Sequence, residues 1–335
     1  MVEMKKRLLV ILISILMLII LIGCGNKKEN EVKEKAEQGK IKVKALKGPP
    51  AVSMVKLFAD NEAGKTSNKY ETSIINSVDE VVAIVAKKDY DIITIPSNLA
   101  SVMYNKTNGD VKIASILALG INYIVGNNDT VKSIQDLKGK TIYTFGKGAT
   151  PEIVLNYVLK GNGLEPGKDV KIEFKSEATE VAAVLASEKD AIAMLPEPFL
   201  SSAQVKNPKL KVLISMGDEW DKVKGTLPKS QISGVVIVRK EFAEKNPEAV
   251  KNFLKEYQES IQFLSANPNE AAKLTGKYGI VPEPVAKRAI PRANITFIAG
   301  NEMKEKMTEY LKILYKANPK SVGGKLPKDD FYIIN

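Results

Sequence analysis

The sequence predicts an α/β protein of two lobes, each a mostly parallel sheet flanked by helices, with a cleft between them. Three observations carry this reading. Strand and helix patterns alternate as β-α-β-α-β from Lys40 to Pro96, the same order recurs 100 residues later, and the chain after Val238 is mainly helical.

The first unit starts at Lys40, where Ile41, Val43 and Ala45 alternate with Lys42 and Lys44 in the period of a half-buried strand. Gly48-Pro49-Pro50 is a sharp turn into a helical pattern from Ala51 to Ala59, since proline is tolerated in a first turn. Tyr70 to Ile75 reads as a strand, Val78 to Lys87 as a helix with Asp79 and Glu80 in its first turn, and Asp91 to Ile95 as a strand. The second unit repeats the order. Thr141 to Phe145 is a strand, Gly146-Lys147-Gly148 a turn and Pro151 to Lys160 a helix. Val170 to Phe174, Thr179 to Ser187 and Ala191 to Leu195 follow as strand, helix and strand. Aligned without a gap, the two units share nine identities in 57 positions, among them Gly48 with Gly148, Glu80 with Glu180 and Pro96 with Pro196.

Ile232 to Val238 reads as a strand, followed by helical patterns at Pro247 to Leu264, Pro268 to Tyr278, Pro282 to Ala289 and Glu302 to Tyr315. These helices are expected to cover the first lobe. The chain would then cross between lobes near Ile121 to Asn128 and again near Lys229 to Val235. Lobe 1 is expected to comprise residues 40–124 and 235–335, and lobe 2 residues 125–234.

The N-terminus has its own pattern. Lys5, Lys6 and Arg7 precede an apolar run from Leu8 to Ile22 broken only by Ser14. As a helix that run spans roughly 22 Å, short of the ~30 Å hydrocarbon core, which favours a signal peptide over a membrane-spanning segment. Leu21-Ile22-Gly23-Cys24 follows and resembles the bacterial lipobox. Residues 1–23 are therefore expected to be removed and Cys24 to carry a lipid anchor. Residues 24–39 are dominated by Lys, Glu, Asn and Gln and read as a disordered tether.

Composition narrows the function classes. Cys24 is the only cysteine, so no internal disulfide forms, and the body must be held by its core. The chain has no histidine, which excludes a Ser-His-Asp triad, a Cys-His pair and any histidine-ligated metal. No cofactor is called for. The net charge is +11, and losing Glu3, Lys5, Lys6 and Arg7 with the signal peptide removes +2 and leaves +9. The lysines are spread out, with no aromatic-interleaved stripe, and suit a solvated surface near an anionic membrane better than nucleic acid.

In open α/β sheets ligands sit beyond the carboxyl ends of the strands, so the repeated loops nominate the site. The first pair is Lys47 to Ala51, with Gly48, Pro49 and Pro50, and Gly146 to Pro151, with Gly148, Ala149 and Thr150. Each is a glycine-containing turn entering a helix, suited to an anion or a carbonyl. Neither is a P-loop. The second pair is Asn76-Ser77 and Ser176-Glu177, polar strand ends that are either ligand contacts or helix caps. The third is Pro96-Ser97-Asn98 and Pro196-Glu197-Pro198-Phe199. Glu197 is a candidate grip for a ligand ammonium or amino group, or else a helix-start carboxylate satisfying backbone donors. Phe199 either stacks on a ligand ring or joins the core. Asn122 and Tyr123, and Gln231 and Ser233, sit on the two crossing segments behind the cleft. Trp220 either flanks the cleft or packs in the core.

Three of these stretches, Lys47-Gly48-Pro49-Pro50-Ala51, Gly146-Lys147-Gly148-Ala149-Thr150-Pro151-Glu152 and Ala193-Met194-Leu195-Pro196-Glu197-Pro198-Phe199, resemble ABC-transporter substrate-binding proteins of the nitrate/sulfonate/taurine type, the SsuA/THI5-like group. The resemblance covers Lys40 to the C-terminus. It implies a type II periplasmic-binding-protein fold whose lobes close on a small solute of sulfonate, nitrate/taurine or pyrimidine type. It also implies delivery to a membrane permease with its ATPase, at the extracytoplasmic face of a bacterial membrane. Pyrimidine-synthase relatives depend on a histidine that this chain lacks, so a binding role without catalysis is expected. A surface sensor or adhesion lipoprotein of the same fold, and an enzyme on it, are the alternatives.

Overall fold

A computed structural model describes residues 39–334. The expected signal peptide, Cys24 and the tether up to residue 38 lie outside the described residues. In chain order the strands are β1 (Ile41–Leu46), β2 (Tyr70–Ile75), β3 (Ile92–Pro96), β4 (Val111–Leu119), β5 (Asn122–Gly126), β6 (Thr141–Phe145), β7 (Lys171–Lys175), β8 (Ile192–Pro196), β9 (Lys211–Ser215), β10 (Ile232–Arg239) and β11 (Ile295–Ile298). The helices are α1 (Pro49–Val52), α2 (Val55–Glu62), α3 (Val78–Ala86), α4 (Ser97–Lys106), α5 (Thr150–Gly161), α6 (Ala178–Ser187), α7 (Phe199–Lys206), α8 (Met216–Lys222), α9 (Lys240–Lys245), α10 (Pro247–Ala266), α11 (Pro268–Lys277), α12 (Glu283–Ala289) and α13 (Gly300–Ala317).

The strands form two sheets, ordered β11-β4-β10-β3-β1-β2 and β7-β6-β8-β5-β9. In each, the three strands of the repeat unit run parallel, and one reversed strand, β10 or β5, follows them. That reversed strand is the one delivered by a chain crossing from the other sheet. β4 and β9 then occupy the same place beyond it, 100 residues apart, so the topological repeat reaches further than the sequence pattern, which gave no strand at either. β11 is a further strand where only helices were expected. Its four half-buried residues pair with β4 and extend the first sheet.

Register corrects the gapless alignment. β1 pairs with β2 as Ile41 to Tyr70, whereas β6 pairs with β7 as Thr141 to Lys171. β1 meets β3 as Val43 to Ile92, whereas β6 meets β8 as Ile142 to Ile192. Both comparisons place β1 against β6 at an offset of 99, one short of the 100 that relates β3 to β8. Burial agrees, because Val43 and Ala45 face inward in β1 and Ile142 and Thr144 in β6. An offset of 100 would match Lys42 and Lys44 to those buried positions, the flip that a one-residue slip imposes. Elsewhere the offset of 100 holds in detail: the Asn76 N–H donates to Glu80 Oε2 at 3.2 Å and the Ser176 N–H to Glu180 Oε2 at 3.1 Å.

Helix α10 lays Phe253, Tyr257 and Ile261 on one face of the first sheet against Ala114 and Val236. On the other face a single apolar cluster runs from Ile113 and Ile237 of the first sheet to Ile142 and Met194 of the second. Trp220 lies inside that bridge, fully buried, with ring centroids 4.2 Å from Tyr157 and 5.7 Å from Tyr310. Its Nε1–H donates to Ser230 Oγ at 3.1 Å. Trp220 is a packing residue. No helix among the described residues is long and apolar enough to cross a membrane.

Candidate functional site

A cleft of ≈ 280 Å³ opens where the two sheets face each other. It is lined by the first and third loop pairs together with both crossing segments. Gly48, Pro49, Pro50, Ser97, Asn98, Asn122, Thr150, Glu197 and Phe199 all reach it, as do Lys47, Gln231 and Ser233. Gly48 has φ 108°, a conformation that side chains resist, so the turn can bring the backbone to the cleft only with glycine.

The other candidates lie elsewhere. Ser77 caps α3, its hydroxyl accepting from the Glu80 N–H at 3.2 Å. Glu177 is the exposed N-cap residue of α6. Neither lines the cleft; the Ser77 side chain caps its helix, whereas the Glu177 side chain makes no cap hydrogen bond. Ala51 is wholly buried in the first lobe. Gly148 faces a separate groove between α5 and α13. Its N–H donates to Glu152 Oε2 at 2.5 Å, and the Ala149 N–H donates to the Gly146 carbonyl at 2.9 Å. Both backbone donors expected to be free for an anion are therefore already engaged within their own turn.

Glu197 is the main revision. Its side chain is 0% exposed, and the carboxylate, readable from the sequence either as a ligand grip or as a helix-start group, is occupied within the protein. Arg292 Nε donates to Oε1 at 2.6 Å, and the Ser201 N–H donates to Oε2 at 3.2 Å. Arg292 Nη2 also donates to Ser201 Oγ at 2.9 Å and Gln204 Oε1 at 2.8 Å. Burial raises the Glu197 carboxyl above its ordinary range, opposed by Arg292 and Ser201. Glu197 follows β8 of the second sheet, and Arg292 ends a 3-10 turn, Ile290–Arg292, just before β11 of the first. The pair thus ties the two lobes together beside the cleft. Tyr123 reinforces it, its hydroxyl donating to the Arg292 carbonyl at 2.7 Å.

Arg292 escaped the sequence reading. One signal was present: arginine is rare in this lysine-rich chain, and both Arg239 and Arg292 make the several directed hydrogen bonds that a planar guanidinium permits. Nothing local linked Arg292 to Glu197, 95 residues away.

The cleft carries little charge. Glu197 being neutralised, Lys47 is the remaining ionised lining side chain, and it is exposed at the rim. Six prolines line it, and of these Pro49, Pro50, Pro151 and Pro198 stand at helix starts where they offer no N–H. Leu46, Leu117, Phe145 and Ile232 add apolar surface, and Phe199 stands 40% exposed at the lip. Ser97 Oγ donates to the Ile232 carbonyl at 2.5 Å and Asn98 Nδ2 to the Ser321 carbonyl at 3.2 Å. No group of three or more Cys, Asp or Glu suited to a metal occurs among the described residues.

Two topologically equivalent α/β sheets, joined by two crossings and enclosing a cleft, define the fold of the periplasmic binding proteins. The chain belongs to the NMT1/THI5 like family, whose profile matches residues 76–271. It is 27% identical over 171 residues to provisionally named binding proteins of Brucella abortus (strain 2308) and Brucella melitensis biotype 1. That match covers 51% of this chain, which spans about half (50%) of those relatives' length. Among solved structures, an ABC transporter protein from Parabacteroides distasonis superposes with a TM-score of 0.71 at 24% identity, covering 88% of this chain and 98% of that one. The periplasmic aliphatic sulphonate binding protein SsuA of Escherichia coli gives 0.66 at 16% identity, covering 86% and 92%. The ligand-binding component of an ABC-type import system from Staphylococcus aureus, with zinc bound, gives 0.66 at 16%, covering 89% and 97%.

Proposed function

We propose that this protein is the solute-binding component of an ABC importer. It captures a small polar solute between its lobes and hands it to a membrane permease served by an ATPase. The observation that carries the reading is the cleft itself, where equivalent loops from two repeated sheets converge with both crossing segments. Such an arrangement lets a ligand favour the closed state by touching both lobes at once. At ~30 Å³ per water-sized unit, the cleft holds a solute of roughly ten non-hydrogen atoms. Gly48, Pro49, Pro50, Ser97, Asn98, Asn122, Thr150 and Phe199 are the proposed contacts. Glu197 acts through the Arg292 pair. Sulfonate-, nitrate/taurine- and pyrimidine-type solutes are the classes within scope. The role is capture without turnover, at the extracytoplasmic face of the membrane, with Cys24 as lipid anchor.

Mass spectrometry of small molecules released from the denatured full chain tests the capture reading. A stoichiometric solute that raises the melting temperature when added back is the expected result. A purified chain that carries none, and that no sulfonate, pyrimidine, amine or inorganic anion stabilises, overturns it. Metabolic labelling with a palmitate analogue tests the anchor: the label should vanish in Cys24→Ser, and a wild-type chain without label refutes it.

A further inference from the structure

Helix α13 belongs to the first lobe and runs along the second. In its first half Lys306 is 9% exposed, and its Nζ donates to the Pro228 carbonyl at 2.7 Å, in the segment that leads to the second crossing. One turn later Tyr310 packs on Trp220 and lines the cleft. Beyond Tyr310, α5 and α13 flank an open groove of ≈ 840 Å³. A bond spans from lobe to lobe where α13 ends. Asn318, the residue after the helix, donates from Nδ2 to the Gly148 carbonyl at 3.1 Å, in the turn that enters α5. Lys306 and Asn318 stand about 18 Å apart along the helix.

The Asn318 amide is oriented by its own turn. Its Oδ1 accepts the Lys320 N–H at 3.1 Å and caps the 3-10 turn Pro319–Val322, which leaves Nδ2 to face Gly148. That turn is fastened to α4 of the first lobe. Asn98 Nδ2 donates to the Ser321 carbonyl at 3.2 Å, and Ser101 Oγ and Asn105 Nδ2 donate to the Val322 carbonyl at 2.8 and 3.0 Å. Both ends of the connection reach the cleft: Asn98 lines it on one side, and Thr150, two residues after Gly148, lines it on the other. In the second sheet β8, which leads to Glu197, lies next to the crossing strand β5, and β6, which leads to Gly148, lies one strand further out. By strand order the Asn318 bond is therefore the more distant of the two ties from the first crossing.

Resting on the solute-binding reading above, we infer that Asn318 is a latch, a positioning residue whose bond to Gly148 holds the second lobe against the first and sets how readily the cleft opens. The tie at Lys306 is buried beside a crossing and suits a pivot. The tie at Asn318 is exposed beside an open groove and suits a contact that breaks and re-forms. One neutral hydrogen bond shifts an equilibrium by about two- to tenfold, enough to bias closure and too little to prevent release. A solute that touches Asn98 and Thr150 favours the same arrangement as the latch, so the two act together.

Two variants separate the latch from the cap. Asn318→Asp keeps the oxygen that caps the turn and sets a second oxygen against the Gly148 carbonyl, whereas Asn318→Ala loses both contacts. Each is made in the full chain carrying Cys24→Ser, with spin labels on Lys87→Cys and Lys189→Cys, exposed positions in the first and second lobe. Double electron–electron resonance then reads the distance between lobes with no solute added. Both variants are expected to gain a longer-distance population, the ratio of short to long distances falling about two- to tenfold. Unchanged distances in both variants overturn the latch, and so does a gain of shorter ones. A longer population in Asn318→Ala that Asn318→Asp does not share assigns Asn318 to capping its turn and overturns it as well. The receptor reading is judged separately, by the solute released from the denatured chain.

Discussion

Replacing Arg292 with methionine removes the cation but keeps most of the side-chain length, leaving Glu197 buried without its partner. Breaking a buried pair from one side costs about 3–5 kcal/mol, because the remaining charge is stranded in a poor solvent. Arg292 is 27% exposed, so water can partly follow it, and the loss belongs near the lower end, about 3 kcal/mol. For a body of this size that lowers the melting temperature by roughly 5 °C. The sign of the pH dependence follows from burial. Glu197 already titrates above its ordinary 4.5 in the folded protein, and losing Arg292 removes the main opposing influence. The folded variant then holds a proton that the unfolded chain has released, so its stability rises as pH falls through the raised folded value. Urea unfolding at pH 7 and pH 5 measures this. The deficit relative to wild type should be largest at pH 7 and smaller at pH 5. Glu197→Gln added to Arg292→Met should restore much of the loss, since a neutral amide keeps an acceptor for the Ser201 N–H. A deficit under about 1 kcal/mol at pH 7, or one equal at the two pH values, would refute the idea that this pair holds the lobes together.

Other perturbations probe the cleft floor, the bridge and the surface. Gly120→Ala places a methyl 2.0 Å from Gln231 Oε1 and 2.9 Å from Gly217 Cα, so it should destabilise by about 1–3 kcal/mol, read by thermal shift. Trp220→Ala empties the aromatic stack joining the lobes and should cost about 3–5 kcal/mol in urea unfolding. Because Trp220 is the only tryptophan, wild-type emission should stay blue-shifted until the main transition, and an early red shift would place it outside the core. Asp89, pulled down to about 2 by Lys42 and Lys44, contributes stability present above its ordinary 3.8 and lost as pH falls toward 2. Its carboxylate is 49% exposed, so Asp89→Asn should cost less than about 1 kcal/mol at neutral pH, with the difference from wild type shrinking as pH falls from 3.8 through about 2.

The local patterns were legible for a local reason. Alternation of Ile41, Val43 and Ala45 with lysines is what a strand with one buried face demands, and β1 buries those three. Ser77 followed by Glu80 is a helix-start signature, and it caps α3. Proline after each third strand marked where β3 and β8 stop, both at the pattern's own spacing of 100. The repeat alone brought the first and third loop pairs to one cleft, because equivalent turns in two similar sheets leave by the same edge.

What stayed hidden depended on partners far away in the chain. β4 carries a long apolar run and β9 only Val212-Leu213-Ile214; turn residues stood before both, at Asn108-Gly109 and Asn207-Pro208, but a run of either length also fits a buried helix segment, and pairing with β10 and β5 settles them as strands. The slip between β1 and β6 is invisible to a count of identities, since identity does not see which face a side chain takes. Glu197 illustrates the limit best. Its sequence neighbours gave a rigid turn after an apolar strand, which suits a ligand carboxylate and a structural one equally well. The sequence by itself determined two repeated α/β units, the loops that meet between them and the absence of histidine chemistry. Only the tertiary structure decided that Arg292 neutralises Glu197 while Gln231 Oε1 has no partner among the described residues, because burial and hydrogen-bond satisfaction are set by contacts across nearly a hundred residues.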